Sequence, residues 1–521
     1  MTQRKLAKNI GVMSIAVFLS RILGLVRDQV MAYFFGTTYL NDAFNVAYNL
    51  PNLLRRLFGE GALSAAFVPL YNEIGIKRGK AEQIKFALNV LSIITLLLTI
   101  LTFIGIVLAP LIVKLLYPGL PQQTVLVAIK LSRIMFPYLF FIGLSSTFIA
   151  ILNSHDYFFM TGLSSALLNI GMVLTIVLPV SIYSLTHEQL VVWAGWGVFV
   201  GGFLQTIINL PFLKKIGYNF TIVLKFSGEA ITSLWKRFIP AMIGIGVREI
   251  NLITDALMAS FLPIGSITAL GFGNRLMQLP LGIFGIATGT AVLPLYSKYI
   301  TDRKWRELSE SLKFATVSLA AIMLPTTVII CALGNDFVKI LFQRGIFDAH
   351  ATLMTYQALF FYSLGLIFFS LNQTITPLFY ANKDTKTPVK IAAYMVGLNI
   401  VLNFTLMQFI QHRGLALATS ITAMVNYLVL LSLIKKSMPE VVFTGILSQM
   451  TKIVTISIFL YGILYFSNTY FPVGGLLLLI IKDVILALGI YILFFVLASV
   501  WRVDYIDSIR KSLWSRLLRK S

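Results

Sequence analysis

The sequence predicts an all-α polytopic membrane protein of about fourteen transmembrane helices, with two six-helix lobes in parallel repeat plus two extra C-terminal helices. Three observations predict it. Of 521 residues, 58% are apolar and 12% are charged, the latter about half the roughly 25% usual in soluble domains. Mean hydropathy is +0.86. The apolar residues gather into runs long enough to span a bilayer, and short motifs recur at a fixed long offset. A soluble enzyme is excluded, because a chain of this length lacks the charge to cover two to four polar domain surfaces. Disorder is excluded by the apolar content and the absence of low-complexity tracts.

A spanning helix needs about 20 mainly apolar residues. Such runs lie at roughly 10–35, 42–74, 86–113, 127–152, 159–182, 189–213, 234–261, 268–297, 312–342, 354–380, 389–409, 413–434, 450–467 and 475–500. In the first, Arg4, Lys5 and Lys8 precede the apolar stretch Ile10–Leu19 as in a signal peptide. No A-x-A-like cleavage site follows, so a retained helix is expected. The second and eighth runs are the least hydrophobic and the most broken by Gly, Pro and charge. Orientation follows from the Lys/Arg bias. With the N-terminus inside, the inner loops are basic: Lys77, Arg78, Lys80 and Lys85, then Lys214 and Lys215, then Arg303, Lys304 and Arg306, then Lys383 and Lys386, then Lys435 and Lys436. The outer loops are poor in charge, apart from Arg344 and Arg413. Both termini are therefore expected in the cytoplasm. The net charge of +22 reads as basic loops facing anionic lipid, with no nucleic-acid partner. The tail, 501–521, sets Leu513, Trp514, Leu517 and Leu518 among Arg and Lys, as in a basic amphipathic segment on the inner membrane surface. The single cysteine, Cys331, lies in an apolar run and reads as a small core residue.

The repeat divides the chain. Ala66-Phe67-Val68-Pro69-Leu70-Tyr71 resembles Ala291-Val292-Leu293-Pro294-Leu295-Tyr296; Leu168-Asn169-Ile170 resembles Leu398-Asn399-Ile400; Phe212-Leu213-Lys214-Lys215 resembles Leu433-Ile434-Lys435-Lys436. The offsets are 225, 230 and 221 residues. A six-span unit repeats in the same orientation, about an axis along the membrane normal. The expected division is a lobe over 1–215, a second over 234–436, and an extra helix pair over 450–500. A two-lobed transporter with a central cleft follows.

Charges inside the spans point to a pathway, since each costs roughly 2.5–3.5 kcal/mol on insertion scales. The first span carries Arg21, Arg27 and Asp28. Arg21, Gly24 and Asp28 share one helix face, which also admits a plain Arg21–Asp28 ion pair. In the second, Asp42, Asn45, Asn49, Asn52 and Arg56 recur at helical spacing beside Arg55. A stripe of this kind faces protein or a water-filled cavity. Pro51 is placed to kink that helix, and Gly59-Glu60-Gly61 to bend it. In the eighth span Gly271, Asn274, Gln278, Gly282, Gly285 and Gly289 form a small and polar stripe, with Arg275 adjacent and Pro280 as a break. The glycines also suit close helix packing. Across these spans arginine outnumbers acid. A planar guanidinium fork suits phosphate, and apolar walls suit a lipid.

Catalytic chemistry is missing. The histidines His155, His187, His350 and His412 fall in or near loops far apart in sequence. No P-loop, H-E-x-x-H or paired-carboxylate motif occurs. Transport is therefore expected to be passive, ion-coupled or driven by membrane potential, with no cofactor. H⁺ and Na⁺ are both open as coupling ions, and Glu249 and Asp255 read equally as ion sites or packing pairs.

Several motifs resemble the MurJ family of lipid II flippases, in the MOP (MATE-like) exporter superfamily. They are Ser20-Arg21-Ile22-Leu23-Gly24-Leu25-Val26-Arg27-Asp28, Asp42-Ala43-Phe44 through Leu50-Pro51-Asn52-Leu53-Leu54-Arg55-Arg56, Gly61 through Phe67-Val68-Pro69, and Asn274-Arg275-Leu276-Met277. Leu341–Phe347 and Phe379–Lys390 add to the match. The resemblance implies two six-helix lobes around a V-shaped cavity, with two extra helices forming an apolar groove for a polyprenyl tail. It places the important cavity residues at Arg21, Arg27, Asp42, Arg55 and Arg275, with Asp28, Asn49, Asn52, Arg56 and Gln278 as secondary candidates. The arginines would hold the pyrophosphate, and Asp42 would orient an arginine or gate the cavity. Some relatives carry Asp-Arg and a Glu three residues on in the eighth span, where this chain has Asn274-Arg275 and Gln278, a less acidic arrangement. The implied activity is export of the undecaprenyl-pyrophosphate-linked peptidoglycan precursor, for cell-wall biogenesis, in the bacterial inner membrane. The implied partners are lipid II and membrane lipids, with other cell-wall synthesis proteins as candidates. A flippase for another polyprenyl-linked glycan is the main alternative. A cation-coupled MATE-type antiporter fits less well, because it would need an acidic cavity.

Overall fold

The structure is a computed structural model that describes residues 3–58, 62–157 and 159–506. The Gly59-Glu60-Gly61 break and the tail beyond residue 506 lie outside the described residues. Among those residues the chain is helical throughout, with no strand. The helices are α1 Gln3–Phe35, α2 Tyr39–Phe58, α3 Ala62–Arg78, α4 Lys80–Leu116, α5 Gln122–Met135, α6 Pro137–Ser154, α7 Phe159–Ile182, α8 His187–Ile207, α9 Leu210–Lys215 and α10 Glu229–Ala259. They continue as α11 Ser266–Pro280, α12 Ile286–Thr301, α13 Trp305–Phe342, α14 Ala349–Leu364, α15 Leu366–Ala381, α16 Lys386–Ile410, α17 His412–Ser437, α18 Ile446–Tyr470 and α19 Leu476–Val500.

By length and hydropathy ten helical stretches are able to cross a membrane, or eleven if α14 and α15, bent by 40° at Gly365, count as one span. The count of about fourteen is thus not reached on this criterion among the described residues. For α2 and α10 the physical reason is that they are helices that carry intramembrane charges, which lower their hydropathy. Those are the helices expected to line a polar path.

Breaks fall where the chemistry puts them. Pro280 closes α11, and a π-turn over Leu281–Gly285 leads into α12, as expected when a ring removes a backbone donor. Pro51, by contrast, lies inside α2, which runs on to Phe58. Ahead of α16, Asp384 accepts the backbone N–H of Lys386 (3.1 Å) and Thr387 (3.0 Å). Hydrogen bonds from the Thr387 side chain and backbone hold this carboxyl below its ordinary range.

The chain divides into two compact units: residues 1–267 with Arg344–Phe347, and residues 268–343 with 348–521. In the first unit α7 packs along α8 and α1, α2 along α5, and α10 along α3. Glycines set the closest approach there. A Cβ on Gly171 would stand 2.8 Å from the Gly201 Cα, and one on Gly201 the same distance from the Leu168 Cα. Where the sequence repeat assigns α10 to the second lobe, packing groups it with the first unit, since Leu234 and Phe238 enter the core built on Phe67, Tyr71 and Phe86. At one edge of that core the Tyr71 hydroxyl bonds the Tyr218 hydroxyl (2.7 Å) and His155 Nε2 (2.8 Å). Burial, then the nearby Lys80, holds the His155 imidazole below its ordinary value. In the second unit α16 packs on α17, α12 on α15, and α13 on α14, α18 and α19. Cys331 is buried on α13, as its apolar run predicts.

Candidate functional site

In the first unit Arg27 and Asp28 of α1 and Asp42, Arg55 and Arg56 of α2 are held by specific partners. Arg27 donates through Nε (3.1 Å) and Nη2 (2.8 Å) to Asp28 Oδ1. Both side chains are largely buried, at 14% and 8% exposure. Tyr48 and Tyr138 lie within electrostatic reach of the same guanidinium. The ion pair read across the helix turn, Arg21 to Asp28, is therefore replaced: the flexible Arg27 side chain bends to its neighbour, while Arg21 is exposed. Helix spacing predicts which side chains share a face. It does not predict how far a long arginine reaches around it.

Along α2 the polar stripe divides into jobs. Asn41 donates to the Gly36 carbonyl (2.6 Å), and Asn45 to the Asn41 carbonyl (2.9 Å). Asp42, 3% exposed, accepts the backbone N–H of Gly265 at 2.6 Å. Asn52 accepts from Arg55 Nε at 2.8 Å. Arg56 reaches Glu249 of α10 at 3.2 Å, and Glu249 is almost fully buried. Of the two readings left open for Glu249, the geometry contains the packing ion pair. Asn49 is exposed. Asp255 accepts from Asn251 at 3.4 Å.

Two segments that sequence reasoning did not single out for the site close on the turn between α1 and α2. One is the loop before α11. Gly265 has φ +89°, and a Cβ there would stand 2.3 Å from the Thr37 carbonyl oxygen. The other is Arg344–Phe347, which packs with the first unit. The Ile346 N–H donates to the Tyr33 carbonyl at 3.0 Å. Gly345, at φ +61°, brings its Cα so close that a Cβ would lie 2.3 Å from that same oxygen. Only glycine fits both places. Their trace in the sequence is the pair Ile264-Gly265 and Arg344-Gly345, short glycine turns between long apolar runs.

In the second unit Arg275 and Asn274 are half-buried on α11, and Gln278 is exposed. The Gln278 amide donates to Asn274 Oδ1. The glycines of the stripe divide. A Cβ on Gly285 would stand 3.3 Å from the Ser370 hydroxyl and one on Gly289 2.8 Å from the Gln373 carbonyl oxygen, whereas one on Gly271 meets nothing within 4 Å. The site residues thus fall into a group on α1 and α2 in one unit and a group on α11 in the other. Among the described residues no group of three or more His, Cys, Asp or Glu gathers to hold a metal.

A family model described as Lipid II flippase MurJ matches residues 31–482. The chain belongs to the MurJ lipid II flippase family. Among its relatives is the lipid II flippase MurJ of Burkholderia cenocepacia, 33% identical over 79% of this chain and 80% of that protein. Another is the probable lipid II flippase MurJ of Vibrio cholerae, 34% identical over 81% of this chain and 82% of the relative. Among solved structures, a lipid II flippase MurJ in an inward closed conformation superimposes with TM-score 0.79 at 30% identity, covering 95% of this chain and 99% of that one. An inward-facing multidrug-resistance MATE transporter of the MOP superfamily superimposes with TM-score 0.64 at 15% identity, over 82% of this chain and 99% of that one. That likeness extends the fold alone to the wider superfamily. The MurJ match includes the site residues of α2 and α11 and begins after Arg21, Arg27 and Asp28 of α1.

Proposed function

We propose that this chain is a lipid II flippase, carrying the undecaprenyl-pyrophosphate-linked peptidoglycan precursor from the inner to the outer leaflet of the bacterial cytoplasmic membrane. The observation that carries the reading is the family match over residues 31–482, which contains the arginines of α2 and α11. In this reading both termini are cytoplasmic, lobes 1–215 and 234–436 alternate access, and α18 and α19 take the polyprenyl tail. Arg21, Arg27, Arg55 and Arg275 attract the pyrophosphate. Asn52 accepts from Arg55 Nε at 2.8 Å and so orients that guanidinium. Asp42 gates the path, because the bond it makes to the Gly265 N–H ties α2 to the loop before α11 and opening requires that this bond break. The protein acts as a carrier and not as an enzyme.

The driving force proposed is the membrane potential. Moving an anion outward across an inside-negative membrane is favourable by about 2.3 kcal/mol per charge per 100 mV, so a doubly charged pyrophosphate gains twice that without nucleotide hydrolysis. Collapsing the potential while keeping the pH gradient is expected to stop export, and continued export would remove this part of the proposal. The activity itself is tested by depleting the protein in its own cells and adding an impermeant enzyme that cleaves lipid II at the outer leaflet. Lipid II that accumulates and becomes protected supports the reading. Lipid II that remains fully cleavable overturns it in favour of another polyprenyl-linked glycan.

A further inference from the structure

Lys482-Asp483 is the one charged pair in the otherwise apolar helix α19, whose other polar side chains are Tyr491 and Ser499, and nothing in the proposed export uses that pair. The Lys482 ammonium donates to Asp336 Oδ2 of α13 at 3.1 Å and to Asn468 Oδ1 of α18 at 2.5 Å. Asn468 in turn donates to the Ala332 carbonyl of α13 at 3.2 Å. One ammonium thus joins three helices, and both it and Asp336 are largely buried. Asp483 is the second carboxylate of the cluster and is 1% exposed. Its Oδ1 lies 3.6 Å from the Lys482 nitrogen, and neither of its oxygens has a hydrogen-bond partner among the described residues. The other titratable groups around the cluster are Cys331 on α13, Tyr356 on α14, and Tyr461 and Tyr465 on α18, all neutral in their ordinary state.

The charges do not balance. One ammonium faces two carboxylates, and Asp336 already holds the better geometry. A wholly buried carboxylate with no hydrogen bond among the described residues, and only a 3.6 Å contact to an ammonium shared with Asp336, is costly to keep ionised, and such groups neutralise instead. We propose that Asp483 is a proton-binding site, the carboxylate taking up one proton to become a carboxylic acid and leaving Lys482 and Asp336 as a neutral pair. A metal cation fits poorly, because the Lys482 ammonium stands between the two carboxylates and takes the Asn468 oxygen as well. The site lies within the first two turns of α19, near the end predicted to face outside. Loss of the proton makes Lys482 divide between two carboxylates, which loosens its hold on Asp336 and Asn468 and so the packing of α19 on α13 and α18.

The test uses the full-length protein in lipid nanodiscs and reads the infrared band of protonated carboxylic acids while pH is raised from about 5 to 8. The expected result is a band of one carboxyl persisting to neutral pH in the wild type and lost in Asp483→Asn. In Asp336→Asn the band should also vanish at neutral pH, although Asp483 is intact, because Lys482 then has a single carboxylate to pair with. Lys482→Met should carry the band at least tenfold lower in proton concentration. Hydrogen exchange in residues 476–490 should rise above the titration in the wild type only. Superimposable spectra of wild type and Asp483→Asn would overturn the proposal. If that variant fails to fold, an unchanged titration in Lys482→Met would do the same.

Discussion

Helices α2 and α11 begin matching broken segments in the sequence repeat, and each carries a polar stripe beside arginine, yet they use it differently. On α2 the stripe is tied into the surrounding unit. Asp42 holds the Gly265 backbone, Arg55 is braced by Asn52, and Arg56 is locked to the buried Glu249. On α11 the Gln278 amide turns back onto Asn274 of its own helix and remains exposed, while Gly273 packs on α14 and a Cβ on Gly271 would meet nothing within 4 Å. The helices that follow them diverge in the same way. Tyr71 of α3 bonds Tyr218 and His155, whereas its repeat counterpart Tyr296 of α12 is buried with no hydrogen-bond partner for its hydroxyl. Duplicated sequence therefore carries over helix, break and register. It does not carry over partners, because those come from segments outside the repeated motif. The lesson is that substitutions on α1 and α2 will confound stability with transport, and those on α11 will separate them.

The strongest way to break this comparison is at Arg27. Removing it breaks a largely buried ion pair of 2.8 Å, so Arg27→Ala should lower stability by up to about 3 kcal/mol, read as unfolding in lipid nanodiscs. The double change Arg27→Met with Asp28→Asn should restore most of that stability while lipid II export stays low. Export that returned along with stability would make the pair purely structural. A smaller effect tests the clamp on the turn between α1 and α2. Gly345→Ala meets the Tyr33 carbonyl at φ +61° and should cost at least about 1 kcal/mol. Gly397→Ala, where a Cβ meets nothing within 4 Å, serves as the control and should be neutral or stabilising. Equal effects at the two glycines would show that the Arg344–Phe347 segment does not hold the turn. The smallest effect on stability is expected at Gln278. Gln278→Ala should leave stability within about 0.5 kcal/mol and lower export at limiting substrate. A loss of stability as large as that at Arg27 would erase the distinction between the two helices.

Much of this was legible in the residues. The Arg21–Asp28, Asp42–Arg56 and Asn274-Arg275 motifs lead to the family before any coordinates, and Pro280 marks the break that the π-turn confirms. Helices α2 and α10 show why counting spans by hydropathy falls short: the residues that mark a path are those that lower the hydropathy. The pairing of Asp28 with Arg27 was not legible, because helix spacing also admitted Arg21 on the same face as Asp28 and only side-chain packing chooses. The role of Gly265 and Gly345 was invisible because a positive φ and a carbonyl 2.3 Å from a would-be Cβ belong to segments more than 200 residues apart in one case and 300 in the other.

By itself, then, the sequence determined the solvent, the helical class, the repeat and the excess of arginine, because bilayer insertion acts on local composition and helix period through about 20-residue windows. The tertiary structure decided that Arg27 meets Asp28 and Arg56 meets Glu249, where α10 packs, which glycines are obligatory, and that Lys482 stands closer to Asp336 than to Asp483. These depend on distances between distant segments, and no local free-energy term specifies them.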